Sequence, residues 1–213
     1  MSGPRDWRPL NRPYVIGLTG SLAMGKSETA RLFAAEGVPV HDADAVTHKL
    51  YDKGGAAVEK IAQVFPGAVK HGAVDRAALS GLVAGDADAL QKLESLVHPL
   101  VMQDRDDFLA EAASGGAQIV VLDIPLLLET GAEEGIDALV VVSAPASVQR
   151  ERAFKRAGMT EEKFTALLAR QMPDVDKRAK AHFVIVTDQG VEHARAQVKM
   201  VLTVIREKIQ SHA

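Results

Sequence analysis

Gly20, four further residues, and then Gly25, Lys26 and Ser27 stand within GLTGSLAMGKSE at residues 17–28. Glycines admit positive φ and let the backbone approach a charged oxygen closely. Successive amides at the positive end of a helix then converge on an anion. A lysine placed there neutralises the β- and γ-phosphates of a nucleotide, and a serine hydroxyl supplies a hard oxygen for Mg2+. The spacing G-x-x-x-x-G-K-[ST] carries this meaning when a strand leads in and a helix leads out. PYVI precedes it and KSETARLFAAEG, with helical apolar spacing, follows. With glycine usage near ~7%, a chance match is expected in roughly one per cent of chains of this length or fewer. The expected triphosphate site is therefore Gly20, Ser21, Leu22, Ala23, Met24, Gly25, Lys26, Ser27 and Glu28, with amides from Ser21 to Ser27 aimed at the β-phosphate.

Phosphoryl transfer also needs an acid near the acceptor and cations over the departing phosphate. VHDADAV puts Asp42 and Asp44 where a second strand ends, and sheets of this kind bind ligands at their carboxyl edge. Either acid suits an acceptor hydroxyl or a water-bridged Mg2+, and either suits a helix cap. In VVLDIPLLLE an apolar run ends in Asp123, the pattern of a strand whose terminal carboxylate meets Mg2+. Pro125 and the following leucines fit a turn into a helix lining the acceptor pocket, and Glu129 fits a cap, a solvated face or the site. Gln149, Arg152 and Arg156 fall at i, i+3 and i+7, one face of a helix. That stripe reads either as solvated charge or as guanidinium groups that close over the phosphates and exclude water.

The elements that must position these groups follow from the apolar pattern. YVIGLT (14–19), VPVH (38–41), QIVVLDI (118–124), ALVVVS (138–143) and HFVIVT (182–187) read as strands, several of them continuously apolar. Continuous apolar runs are buried on both faces, as in a parallel sheet covered by helices. KSETARLFAAEG ends at Gly37, a helix stop. Residues 46–113 offer helical segments and turn-rich breaks but no strong strand, which predicts a helical insertion. Residues 145–180 are helical, charged and broken by Gly158 and Pro173, as a mobile cap would be. VEHARAQVKMVLTVIREKIQ closes the chain as an amphipathic helix.

Composition narrows the class. The chain has 213 residues, 47% hydrophobic and 25% charged, enough for a real core. A net charge of -3 gives no field that draws nucleic acid or an anionic membrane. The absence of cysteine excludes disulfides and thiolate metal sites and fits a cytoplasmic protein. MSGPRDWRPLNRP reads as a loose leader without a signal-peptide core. IVVLDIPLLL is too short to span a bilayer. A GTP-dependent switch would read guanine with N-K-x-D, and the only asparagine, Asn11, lies ahead of the loop.

GLTGSLAMGKS, DAD, HPL, DIPLLLE, QRERAFKR and RQMP occur in that order. Together they resemble the dephospho-CoA kinase family, the last enzymes of coenzyme A synthesis, over about residues 16–190. The resemblance implies an α/β, three-layer P-loop NTPase fold with a five-stranded parallel sheet, a helical CoA-binding insertion and a helical lid. It places the nucleotide-binding core at 14–45, 116–145 and 181–213, the leader at 1–13, the insertion at 46–115 and the lid at 146–180. It implies transfer from ATP, with Mg2+, to the ribose 3′-hydroxyl of dephospho-CoA. Matched by motif, Asp44 takes the place of the proposed catalytic base, joined in catalysis by Lys26, Arg152 and Arg156. His98 and Pro99 fall in the CoA-binding region, with Asp42, Leu126, Leu127 and Glu129 also on the acceptor side, and Ser27 and Asp123 at the metal. The chain departs from the family's common G-G-I-G-S-G-K-S, because Ser21, Leu22, Ala23 and Met24 fill the loop and stiffen it. VTDQG also replaces the usual Asn before a glycine, which leaves adenine contacts by Thr187 or Asp188 open. Nucleoside monophosphate and shikimate kinases are the alternative reading, since they share the core and lid but not HPL with DIPLLLE.

Overall fold

The computed structural model describes residues 12–211. Residues 1–11 of the expected leader, and 212 and 213, lie outside the described residues. Arg12 is not loose: its guanidinium donates to both carboxylate oxygens of Asp137, at 2.7 and 2.8 Å.

In chain order the elements are β1 (Tyr14–Gly20), α1 (Lys26–Ala35), β2 (Val40–Asp42), α2 (Ala43–Tyr51), α3 (Val58–Val64), β3 (Val69–Lys70), β4 (Ala73–Val74), α4 (Arg76–Val83), α5 (Ala87–Ser114), β5 (Ile119–Asp123), β6 (Ala138–Ser143), α6 (Ala146–Phe154), α7 (Glu161–Ala169), α8 (Asp174–Lys180), β7 (Phe183–Val186) and α9 (Val191–Ser211). One compact unit is built from the described residues up to His41 and from Glu111 onward, and the other is Asp42–Ala110.

The first unit rests on a five-stranded sheet in the order β2-β5-β1-β6-β7. β1 runs parallel to β5 from Tyr14 beside Ile119 to Leu18 beside Asp123, and parallel to β6 from Ile16 beside Ala138 to Gly20 beside Val142. Every residue of β1, β5 and β6 is buried, as the unbroken apolar runs require of central parallel strands. Ile16, Leu18, Phe33, Val140, Ile185, Leu202 and Ile205 belong to one core between the sheet, α1 and α9. Gly37, at φ 79°, ends α1 in the left-handed conformation, with its N–H on Ala34 O and the N–H of Val38 on Phe33 O.

The second unit has its own core of Ala57, Val58, Ile61, Phe65, Ala68, Val74, Leu79 and Val97. It is not purely helical. His71 (φ 54°) and Gly72 (φ 79°) turn the chain between β3 and β4, which pair antiparallel. Two consecutive left-handed residues match the strand twist of a two-residue hairpin. With only two residues in each strand, no apolar alternation could announce it in the sequence. No helix among the described residues is long and apolar enough to cross a membrane.

Candidate active site

β1 delivers the chain to the phosphate loop at Gly20, where a Cβ would stand 2.7 Å from Val142 O. Only glycine fits there. Gly25 closes the loop at φ 96° as the N-cap of α1, a conformation costly for any residue with a Cβ. The loop interior is not glycine, and Ala23 is itself left-handed at φ 59°. Its methyl is held by packing, for Ala23 and Leu22 join Ala153, Met159, Phe164 and Leu168 in a small apolar cluster. Met24 is buried, and its Sδ accepts from Ala144 N at 3.1 Å.

This packing decides which amides face an anion. Leu22 N–H donates to Gln171 Oε1 at 2.9 Å, and Met24 N–H to Ser21 O at 3.2 Å. Both were expected to face a phosphate and instead make bonds inside the protein. The amides of Ala23, Gly25, Lys26 and Ser27 remain as candidate donors, the last three at the start of α1, where helix geometry leaves N–H groups without intrahelical partners. Ser27 and Glu28 are exposed there, and the Glu28 carboxylate pairs with Arg31 at 2.8 Å.

Lys26 Nζ forms an ion pair and hydrogen bond with Asp123 Oδ1. Asp123 ends β5, beside Leu18 of β1, and is 2% exposed. The two expected residues are thus brought together, with the Asp123 carboxylate holding the lysine. Ser27 and Asp123 provide a hydroxyl and a carboxylate, the hard oxygen donors that Mg2+ prefers, so the donor set fits that ion.

The helical stripe divides three ways. Gln149 is buried and donates to Leu22 O at 2.9 Å. Arg152 donates to Thr187 Oγ1 at 2.8 Å and to Thr187 O at 2.7 Å, while Thr187 Oγ1 donates to Met24 O at 2.7 Å. Arg156 is exposed. A cavity of about 230 Å3 opens beside the loop, walled by Gly25, Glu28, Thr29, Leu32, Arg152, Thr187, Gly190, Val191 and Ala194. Asp188 lines a different cavity, with Met24, Ser143 and Asp174.

After β5, Leu126 is exposed, but Leu127 is fully buried, its Cδ2 3.0 Å from where a Cβ on Gly17 would stand. It packs as a core residue. Glu129 Oε1 accepts from Met172 N at 2.9 Å and pairs with Lys177 Nζ at 2.7 Å. Burial pushes the Glu129 carboxyl up, but the bonds from Lys177 and Met172 bring it below the usual range. Lys177 is 0% exposed, a buried ammonium that needs this partner.

In the second unit, Asp42 caps α2, its Oδ1 accepting from Asp44 N and Ala45 N at 3.0 Å each. That oxygen is thereby committed to the helix end. Asp44 is exposed on the first turn of α2, and His98 and Pro99 are exposed within α5. Gln171, Lys177 and the anchoring role of Thr187 were not found from the sequence. No spacing rule connects Gln171, in RQMP, to a loop 149 positions away.

The family model for dephospho-CoA kinase matches residues 14–193. The dephospho-CoA kinase of Mesorhizobium japonicum is 53% identical over 192 residues, covering 90% of this chain and 96% of that one. A crystal structure of a Thermus thermophilus protein superposes with a TM-score of 0.80 at 34% identity, over 90% of this chain and 97% of that one. The dephospho-CoA kinase structure from Campylobacter jejuni shares the fold, with a TM-score of 0.61 at 22% identity over 92% and 97%. The fold is that of the P-loop kinases. With an intact phosphate loop, its lysine held by the acid of the third motif strand, and relatives of this identity over nearly its whole length, the chain belongs to the dephospho-CoA kinase family.

Proposed function

We propose that the protein transfers the γ-phosphoryl group of ATP to the ribose 3′-hydroxyl of dephospho-CoA, giving coenzyme A and ADP. The observation that carries the reading is the pairing of Lys26, the first residue of α1, with Asp123 at the end of β5, within a family match spanning residues 14–193. That match also favours this acceptor over a nucleoside monophosphate or shikimate.

Each residue then has a task. The amides at the start of α1 and the Lys26 ammonium neutralise the β- and γ-phosphates and hold the chain of phosphates in line with the acceptor. Lys26 exchanges part of its bond to Asp123 for phosphate oxygens. Ser27 and Asp123 would hold Mg2+, which when bound screens the charge between the β- and γ-phosphates. Asp44 orients the 3′-hydroxyl and takes its proton late in transfer, as the new O–P bond forms and the bond from Pγ to the β,γ-bridging oxygen breaks. Asp42 acts by capping α2 and so fixing Asp44. His98 and Pro99, with the unit they belong to, receive the CoA portion, and Leu126 of the first unit joins the acceptor side, where Glu129 is held by its bond to Met172. Residues 146–180 act as a lid: Arg152 and Arg156 bring guanidinium groups to the departing phosphate and help exclude water. The cavity beside Gly25 takes the base, between Arg152 and the segment from Thr187 to Val191. The cytoplasm, where ATP and a cysteine-free chain are both at home, is the proposed compartment.

The test is ADP release measured across dephospho-CoA, AMP, shikimate and adenosine as acceptors. Saturable release with dephospho-CoA alone is expected, and release that follows another acceptor or none refutes the assignment.

A further inference from the structure

Both backbone polar groups of Leu22 are held by glutamine side chains. Its N–H donates to Gln171 Oε1 at 2.9 Å, and its carbonyl accepts from Gln149 Nε2 at 2.9 Å. Gln149 comes from α6 and is 6% exposed. Gln171 sits in the turn between α7 and α8, its own N–H on Leu168 O at 2.9 Å. The next residue is fixed as well, since Met172 N–H donates to Glu129 Oε1 at 2.9 Å and the buried Lys177 pairs with that same oxygen at 2.7 Å. The Leu22 side chain and Ala23 pack with Ala153, Met159, Phe164 and Leu168. The first half of the phosphate loop is thus built into α6 and α7.

A loop whose amides all point at one spot is electrostatically unfavourable without an anion, because the parallel N–H dipoles repel. It needs either the ligand or other protein groups to hold it. We propose that Gln171 is a positioning residue that holds the phosphate loop in its anion-accepting shape before nucleotide arrives, and that the Leu22 amide serves this clamp and is not a phosphate ligand. The inference rests on the reading of this loop as the ATP site. Nucleotide then binds a loop already formed, so less of its binding energy goes into ordering the backbone. The lid's return turn and the loop also become one mechanical piece: a displacement of the turn between α7 and α8 removes the acceptor from Leu22. The relay begins at Glu129, so the segment after β5 reaches the nucleotide loop through Met172 and Gln171.

Two variants test this. Gln171→Met keeps the side-chain length but has no acceptor, and Gln171→Glu keeps an oxygen acceptor. Amide hydrogen exchange at Leu22 in nucleotide-free protein and calorimetric binding of ADP are measured on each folded variant, with steady-state kinetics alongside. One neutral hydrogen bond corresponds to a population change of about 3- to 10-fold. Gln171→Met should therefore speed Leu22 exchange and weaken ADP binding by about that factor. It should raise KM for ATP while leaving kcat and KM for the acceptor near wild type. Gln171→Glu should restore slow exchange at Leu22. Equal ADP affinity in Gln171→Met and wild type, or Leu22 exchange as fast in wild type as in that variant, overturns the clamp. Neither measurement needs an acceptor, so rejection of dephospho-CoA by an ADP-binding protein would refute the function and leave the clamp standing. A wild-type protein that binds no ADP would overturn the loop assignment and this inference with it.

Discussion

Lys26→Met removes a cation that serves two partners, and the two losses separate. The Lys26 side chain is 14% exposed and the Asp123 side chain 2%, so the variant strips an ammonium from a carboxylate that stays in the protein interior. Breaking a buried pair from one side costs about 3–5 kcal/mol. The partial exposure of Lys26 lowers this to about 2–3 kcal/mol. For a chain of this size that is a fall in Tm of roughly 4–12 °C. The double variant Lys26→Met/Asp123→Asn leaves no buried charge behind and should recover most of the stability. Turnover should not recover, because the phosphates still lack their lysine: kcat should fall about 100- to 1,000-fold or more in both. Thermal unfolding and ADP release on wild type, single and double variants make the comparison. A single variant as stable as wild type, or a double variant as unstable as the single one, refutes the claim that Asp123 stores the lysine by a buried ion pair.

Asp44→Asn should lower kcat by about 100- to 10,000-fold if the acid takes the hydroxyl proton, while calorimetry shows ATP affinity near wild type. Asp42→Ala should instead cost about 1 kcal/mol of stability through the lost cap of α2, read as a lower Tm with a milder fall in kcat. Glu129→Gln removes the partner of the fully buried Lys177 and should destabilise by about 3 kcal/mol, read from urea midpoints. His182 supplies a pH dependence. Its Nδ1 accepts from Leu139 N at 2.9 Å, and burial, then the charge of Lys208, holds the imidazole below its ordinary 6.5 in the folded protein. The unfolded chain therefore binds the proton more readily, and this contribution is complete above pH 6.5 and lost as pH falls below it. Urea midpoints at about pH 8 and about pH 5.5 should differ less in His182→Asn, which keeps an acceptor that does not titrate. Equal pH dependence in the two proteins would contradict the assignment.

The sheet was legible because central parallel strands leave an unmistakable trace. IVVLD and ALVVVS are apolar without interruption, and both are buried at every residue. The loop was legible because only glycine fits at Gly20 and Gly25, and because Lys26 and Ser27 follow at fixed spacing. What the sequence does not show depends on distance along the chain or on the fate of one group. Leu22 was placed among the phosphate donors because spacing reports where an amide is and not what it bonds. Gln171, which takes that amide, is separated from it by 149 positions. Leu127 was placed on the acceptor side because three consecutive leucines look alike in sequence, whereas the turn after β5 exposes Leu126 and buries its neighbour. Gln149 reads as part of a stripe with Arg152 and Arg156, yet its burial and its bond to Leu22 O depend on the folded contact of α6 with the loop. The short hairpin at His71 and Gly72 rests on two left-handed residues and carries no periodicity to read.

The most direct measurement is a crystal structure with a non-hydrolysable ATP analogue and Mg2+. The β-phosphate should lie within hydrogen-bond reach of the amides of Gly25 and Lys26, with Lys26 Nζ turned from Asp123 toward the phosphates and Leu22 N–H still on Gln171. A nucleotide seated elsewhere, or a Lys26 that keeps Asp123 as its sole partner while phosphates occupy the loop, would contradict it.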